Sequence, residues 1–427
     1  MITFGKIKSV KGEISVPSDK SITHRAFMLG AMAEGSTWVK NPLMSLDTTA
    51  TMNAMKALGA EFLPAENGFI VVSRGYRFFR EPSNVIDCDN SGTTARLITG
   101  LIAPAGVYAV LTGDASLRKR PMKRVIKPLS EMGAKLEAAS NGTLLPLTIL
   151  PSQMTPADIK GETKSAQVKS SVLLAAAQIQ GMTTYTEPAV TRNHSEIMLK
   201  SFGADIKTEN GKVIINGDRT LVGTDAPVPG DFSSAAFFIG AALIYEGAEV
   251  TIKGVGLNET RTGLLTALES FGVKFELNYY ENTVEPMGDI HIKHQAFSGG
   301  KIDGDLVANL IDELPLLAFL GLFAESPIEI RDAHELRVKE SDRIASTLYN
   351  LRELGAEVEE FEDGMKVYPL TKTPVKAELR SFFDHRIAMI SVLMCKRFGE
   401  QVSVDETDSM SVSFPDFVKT LERIELN

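Results

Sequence analysis

Cysteine is scarce in this chain: Cys88 and Cys395 are the only two among 427 residues. Two thiols cannot build a disulfide framework or a four-thiolate zinc site, and they fit a reducing compartment. Long apolar runs are missing as well. Leu97–Gly113 and Ser170–Thr186 each hold 17 uncharged residues, but glycine interrupts both and Pro104 interrupts the first. Neither reads as a membrane span. Met1–Val16 scatters Lys6, Lys8 and Lys11 among its apolar residues and has no uninterrupted core of a secretory signal. The expectation is a cytoplasmic protein without a membrane partner. Positive charge is in deficit, with 45 Lys and Arg against 54 Asp and Glu and a net charge of −9. That balance argues against a general nucleic-acid binder, although a few focused cations would still hold a small anion. Neither a G-x-x-x-x-G-K-[ST] loop nor a G-x-G-x-x-G fingerprint is present, so nucleotide or dinucleotide use has no motif behind it. His291 and His294 form an H-x-x-H without third-ligand context. A metal site at this pair is not expected.

What is present is repetition. A helical run ending in glycine and followed by an alternating segment recurs at Gly59, Gly133, Gly203, Gly272 and Gly355. Glycine takes the left-handed conformation that ends a helix, so each copy reads as helix, turn, strand. No sixth glycine follows at the C-terminus. A second element recurs six times: an apolar, small-residue-rich helix with a polar start. The copies are Lys20–Glu34, Ser91–Ala105, Ser165–Gln180, Phe232–Glu246, Asp312–Glu325 and Asp384–Phe398. Helices apolar nearly all round belong inside a domain. The chain thus reads as six α/β units of about 70 residues, three to a domain. Pro/Gly breaks at Val16-Pro17 and Ala226–Asp231 suggest a domain over 18–230 and another over 1–17 plus 231–427, with hinges near 17 and 227–231.

The polar helix starts carry the chemistry. Asp19-Lys20-Ser21-x-x-x-Arg25 puts a lysine, a hydroxyl and an arginine at a helix N-terminus, which is an anion-binding arrangement. An ordinary capped helix would use the same residues. Asn90-Ser91-Gly92-Thr93-Thr94 adds hydroxyls and a glycine that lets a ligand approach the backbone. Leu117–Arg124 holds five cations in eight residues; it reads either as a solvated run or as a mobile loop that clamps phosphate or carboxylate with arginine. Ser165-Ala166-Gln167 and Thr191-Arg192-Asn193-His194 place hydroxyl, amide and guanidinium at two more helix starts. Asp312-Glu313 opens a very apolar helix, where Asp312 is either a simple cap or a partly desolvated base. Lys339, Glu340 and Arg343 are expected to enter a helix together, with Lys339 and Arg343 on one face. Asp384-His385-Arg386 opens the sixth buried helix.

Taken together, these motifs resemble the 5-enolpyruvylshikimate-3-phosphate synthase (3-phosphoshikimate 1-carboxyvinyltransferase) family. The resemblance runs from Gly12 to Phe417, and its most specific parts are Asp19–Arg25, Asn90–Thr93, Arg120-Pro121, Ser165–Gln167, Arg337–Arg343 and Asp384–Arg386. It implies two inside-out α/β domains of three βαβαββ-like repeats each. It also implies transfer of the enolpyruvyl group from phosphoenolpyruvate to the 5-hydroxyl of shikimate 3-phosphate, with release of phosphate, on the route to chorismate and the aromatic amino acids. By the same resemblance Lys20, Asn90, Gly92, Arg120, Gln167, Arg343 and Arg386 hold phosphoenolpyruvate. Lys20, Ser21, Arg25, Ser165, Ala166, Gln167, Arg192, Asp312 and Lys339 hold shikimate 3-phosphate. Asp312 is the expected base on the 5-hydroxyl, Glu340 the proton donor to carbon and Lys20 a neighbour of the transferring group, with His385 also in the catalytic set. Domain closure and a monomeric enzyme are implied, and no metal or organic cofactor is.

The chain departs from some family members at Val412, where they place a lysine just before the C-terminal Phe-Pro, so one phosphoenolpyruvate contact is absent or supplied elsewhere. Around Arg192 and Gln167 it resembles a glyphosate-tolerant subgroup, yet Gly92 stands where added bulk favours tolerance. Competition by glyphosate against phosphoenolpyruvate is expected. Two other readings remain open at this point: the related transferase that acts on UDP-N-acetylglucosamine, which carries Lys-Asn where this chain has Lys20-Ser21, and a non-catalytic anion-binding protein on the same scaffold.

Overall fold

The structure is a computed structural model that describes residues 1–426. Contacts divide the chain into two units. One comprises Ser18–Pro229 together with Glu281–Glu285; the other comprises Met1–Pro17, Gly230–Tyr280 and the chain from Pro286 onward. The five-residue excursion at 281–285 was not part of the sequence expectation, which placed all of 231–427 in one body.

Local chemistry builds the recurring helix and strand. Helix Leu46–Ala57 starts on a Ser45 capping box and ends where Ala60 N–H reaches back to Met55 O at 3.1 Å. That closure needs a left-handed residue, and Gly59 supplies it at φ +111°. Helices Lys123–Glu131, His194–Ser201, Gly263–Ser270 and Arg343–Glu353 end on the other four glycines with φ between +81° and +98°. A sixth such helix exists, Phe417–Glu422. No hairpin follows it: Glu425–Leu426 pairs instead with Ser9–Val10, so no left-handed turn is required and the glycine is missing.

In the 18–229 unit three four-stranded sheets share one plan. In one of them Ile86–Asp87 runs parallel to Ala109–Thr112, which pairs antiparallel with Leu144–Leu150, and that with Lys135–Ala138. Asp158–Lys160, Gly181–Thr186, Lys212–Gly217 and Asp205–Glu209 repeat the plan. In the remaining sheet the parallel edge strand Asp225–Pro227 comes from the far end of the unit to pair with Glu34–Lys40. The other unit closes in a similar way. Ser9–Ser15 lies parallel to Glu249–Gly256, and Ile2–Thr3 completes the sheet of Val402–Val404 and Ala377–Leu379.

The six apolar helices lie inside. Every residue of Ile22–Met32 in helix Lys20–Met32 is buried, and so is all of Phe232–Ile244. Gly92–Ile102, Ala166–Ala176, Leu314–Leu320 and His385–Phe398 are the other four. Each unit has its own apolar core around its three helices. Packing is tight enough that small residues are needed at crossings. A Cβ on Gly100 would stand 2.0 Å from the Ser171 carbonyl oxygen, so only glycine allows these two helices to meet. Among the described residues no helix is long and apolar enough to cross a membrane.

Candidate active site

In the 18–229 unit, three buried-helix starts present polar groups. Asp19 caps Lys20–Met32 by accepting from Ile22 N at 2.9 Å, which leaves Lys20 and Ser21 in the first turn. Lys20 Nζ pairs with Asp47 at 2.9 Å and remains half-exposed. Arg25 is buried. Its guanidinium donates to Ser195 Oγ at 2.8 Å, Ser170 Oγ at 2.8 Å and Ser21 O at 3.0 Å. Burial pulls its pKa below the usual arginine value. Arg192 stands half-buried just ahead of helix His194–Ser201, and its charge presses on Arg25. The chain there is pinned from below by Lys169, whose buried ammonium meets Glu187 at 2.9 Å, Glu196 at 2.7 Å and Thr191 O at 3.3 Å.

Ser91 caps the second buried helix through Thr94 N at 3.1 Å, and Ser165 caps the third through Val168 N at 3.4 Å. Ala166 and Gln167 therefore open that helix. Gln167 accepts from Arg96 Nη1 at 2.7 Å and donates to Thr93 Oγ1 at 3.0 Å. Arg120 donates to Asn90 Oδ1 at 2.5 Å, while Asn90 Nδ2 holds Asp114 at 2.6 Å. Both guanidinium groups face Gly92: a Cβ there would lie 2.8 Å from Arg96 Nη1 and 3.5 Å from Arg120 Nη1. Burial, then the charges of Arg124 and Arg120, push Arg96 down to about 10. The Arg118–Arg124 stretch is no plain loop, because Leu117–Lys119 forms a 3-10 turn on a buried Leu117 and Lys123 begins a helix.

In the other unit the chemistry centres on Arg343 and Asp312. Arg343 is fully buried. It donates to Asp384 at 2.8 Å and 3.3 Å, to Glu340 at 2.6 Å and to Asp312 at 3.4 Å. Asp384 is buried too. Burial works to raise its pKa, but the hydrogen bond and charge of Arg343 hold it below the usual carboxylate value. Asp312 does not cap its helix, which starts at Leu314 without a side-chain cap. It sits instead among four cations: Arg261 at 3.8 Å, Lys339 at 3.7 Å, Arg343 at 3.4 Å and Arg386 at 3.9 Å. The helical placement of Lys339 and Glu340 is corrected by the structure. A 3-10 turn ends at Val338, Asp342 caps a new helix, and Arg343 is its first residue. Lys339 and Glu340 lie in the connection, so Lys339 reaches Asp312 from a turn rather than from a shared helical face. His385 is buried, and burial followed by the Arg386 charge lowers it to about 4. It is neutral at neutral pH.

Sequence reading missed several members. Asp47, Arg96, Ser170, Ser195 and Arg261 complete these clusters; Arg96 and Ser195 lay at the ends of the Asp89–Arg96 and Thr191–Glu196 motifs without a role assigned to them. Glu313 had been noted only as the neighbour of Asp312. It is buried, accepts from Ser233 Oγ, faces Arg386 at 3.9 Å, and leaves Oε2 without a hydrogen bond among the described residues. Burial pushes its carboxyl above the usual value. His291 and His294 bond separately to Thr251 and the Leu243 carbonyl. No group of three potential metal ligands occurs among the described residues.

The enolpyruvyl transferase NikO from Streptomyces tendae superposes with a TM-score of 0.75 at 16% identity, covering 98% of this chain and 96% of that one. At that identity the likeness defines the class of fold alone: two α/β bodies of the enolpyruvyl transferase kind. EPSP synthase from Acinetobacter baumannii reaches 0.93 at 37% identity, over 100% of this chain and 98% of that one. The family model for EPSP synthase (3-phosphoshikimate 1-carboxyvinyltransferase) matches residues 4–421. A 3-phosphoshikimate 1-carboxyvinyltransferase of Geotalea uraniireducens (strain Rf4) is 44% identical over 99% of this chain and 98% of its own. One of Bacillus subtilis (strain 168) is 39% identical over 98% of each. The chain belongs to the EPSP synthase family. It is an enzyme that transfers the enolpyruvyl group of phosphoenolpyruvate to shikimate 3-phosphate in the shikimate pathway.

Proposed function

We propose that this transfer runs by addition and elimination, with the named residues in distinct roles. Protonation of the phosphoenolpyruvate methylene carbon makes C2 electrophilic. The 5-hydroxyl oxygen of shikimate 3-phosphate bonds to C2 as its proton leaves to a base. The resulting tetrahedral ketal loses inorganic phosphate while the new methyl group gives back a proton, which restores the double bond. Asp312 takes the hydroxyl proton, Glu340 serves the carbon, and Lys20 neighbours the transferring group. Lys20, Asn90, Gly92, Arg120, Gln167, Arg343 and Arg386 hold phosphoenolpyruvate by bidentate and charge-assisted hydrogen bonds. Lys20, Ser21, Arg25, Ser165, Ala166, Gln167, Arg192, Asp312 and Lys339 hold the acceptor. His385, neutral at working pH, contributes as a hydrogen-bonding group and not as a cation.

The observation that carries this reading is Arg343, which binds Asp312, Glu340 and Asp384 at once. It fixes both proposed proton carriers on one buried guanidinium. Arg386 supports the anion role, since its Nε has no hydrogen-bond partner among the described residues and its nearest carboxylates stand at 3.9 Å. Two buried, unpaired thiols support a reducing, cytoplasmic setting. Phosphate release from phosphoenolpyruvate tests the proposal, with shikimate 3-phosphate or UDP-N-acetylglucosamine as acceptor and with wild type or Glu340→Ala as enzyme. Release with shikimate 3-phosphate alone, strongly reduced in the variant, is expected. Undiminished release by Glu340→Ala removes it from the mechanism.

A further inference from the structure

One cavity in the 18–229 unit is lined by none of the residues assigned to substrate. It is a cavity of about 310 Å³, at the lower end of the range of small-ligand pockets, about 300–1,000 Å³. Its walls come from helix Lys123–Glu131, the start of helix Ala166–Ala176 and the strands that carry Lys160 and Tyr185. Pro128, Val168 and the Tyr185 ring make one side apolar, while Arg124, Lys127 and Lys160 bring positive charge.

Two groups at this wall lack the partners that buried polar groups ordinarily have. Tyr185 is 1% exposed, and its hydroxyl makes no hydrogen bond among the described residues. Burial, then Glu187, pushes that hydroxyl up to about 12, so it stays a donor. Arg124 is half-buried, its Nε is unsatisfied among the described residues, and burial lowers its pKa with no carboxylate to oppose the effect. Lys127 does find an acid, Glu162, across the rim. Arg124 thus makes no ion pair among the described residues, although Glu131 and Glu162 also line the cavity, and it stands near the cationic Arg96. Such a group is costly to leave unpaired, and an incoming carboxylate would relieve that cost.

We propose that this cavity is a binding site, separate from the substrates, for a small organic anion with a flat apolar body, of the aryl carboxylate class. The carboxylate meets Arg124, with Lys127 and Lys160 at the rim. The ring lies against Pro128, Val168 and Tyr185. Inorganic phosphate matches the charge but leaves the apolar wall bare. A neutral aromatic matches the wall but leaves Arg124 unpaired.

The test uses benzoate, titrated calorimetrically into the full-length enzyme with and without phosphoenolpyruvate. Saturable one-to-one binding is expected, with a Kd that phosphoenolpyruvate does not change. Arg124→Gln is expected to weaken it about ten-fold and the exposed Lys160→Gln about three-fold, in line with loss of a close and a rim charge contact. Benzyl alcohol should bind about ten-fold more weakly than benzoate for want of the charge. Lys160→Gln leaves turnover unchanged, which keeps the test informative even where Arg124→Gln is unstable. The proposal is overturned by absence of saturation up to about 20 mM benzoate, by displacement with phosphoenolpyruvate, by equal affinity in wild type and both variants, or by tighter binding of inorganic phosphate at the same site.

Discussion

Acid sensitivity of the 18–229 unit should be traceable to a single imidazole. His24 lies on the fully buried face of helix Lys20–Met32, and its Nδ1 shares a 2.7 Å hydrogen bond with Thr51. Thr51 contacts Thr94 at 2.6 Å, and Thr94 donates to Ser91 at 2.7 Å. The chain of hydroxyls thus runs from His24 to the cap of the helix that opens at Gly92. Nε2 is buried and unpartnered among the described residues. Burial, then the charges of Lys20 and Arg25, lowers His24 from 6.5 to about 3. A histidine whose folded pKa is depressed leaves stability intact above its unfolded value. Stability then falls as the pH drops below about 6.5, because the unfolded chain binds the proton first. The gap corresponds to a limit of about 5 kcal/mol, reached only below about pH 3, and to about 2 kcal/mol at pH 5. Trp38, the sole tryptophan, sits on strand Glu34–Lys40 of the same unit, so its fluorescence reports urea unfolding of that body. Between pH 7.5 and 5.0 wild type should lose about 2 kcal/mol more than His24→Asn, which keeps a hydrogen bond to Thr51 but cannot charge. Equal losses in the two proteins would refute the reasoning, as would a His24 imidazole titrating near 6 by NMR.

Lys169→Met strips the buried Glu196 and the part-buried Glu187 of their ammonium and should cost about 3–5 kcal/mol. The loss should shrink as the pH is lowered, because burial raises the Glu196 carboxyl above its usual value and favours its neutral form once the ammonium is gone; urea midpoints at two pH values check this. Arg343→Lys keeps one charge but cannot fork to Asp384, Glu340 and Asp312 together, so kcat should fall by about 10²-fold or more with Tm lowered; full activity would contradict the role given to it. Gly92→Ala forces the Arg96 guanidinium to shift from 2.8 Å. It should raise the KM for phosphoenolpyruvate and weaken glyphosate competition, both read from steady-state kinetics, and no competition by glyphosate even in wild type would remove the shared-site premise. Gly100→Val drives side-chain carbon into the Ser171 carbonyl and should leave no folded 18–229 unit by circular dichroism, since the obstacle is backbone that cannot yield.

Local features were legible because they depend on residues close in the chain. The helix–glycine–strand units follow from periodicity and the left-handed turn, and the caps at Asp19, Ser91, Ser165 and Asp384 follow from short polar side chains ahead of apolar runs. Lys339 and Glu340 were misplaced for an equally local reason. Asp342 accepts from Ile344 and Ala345 N–H and so starts the helix after them, a position that sequence periodicity alone does not settle.

The sequence by itself determined the six units, their polar helix starts and the family to which they belong, because those are written in spacing and side-chain type. Only the tertiary structure decided which strand pairs with which, and which charges meet. Ile2–Thr3 joining Val402–Val404, Glu281–Glu285 returning to the 18–229 unit, and Arg261, Lys339, Arg343 and Arg386 converging on Asp312 all join positions far apart in the chain. Such contacts form when hydrophobic burial brings distant segments together, and burial then decides which charged groups must find partners.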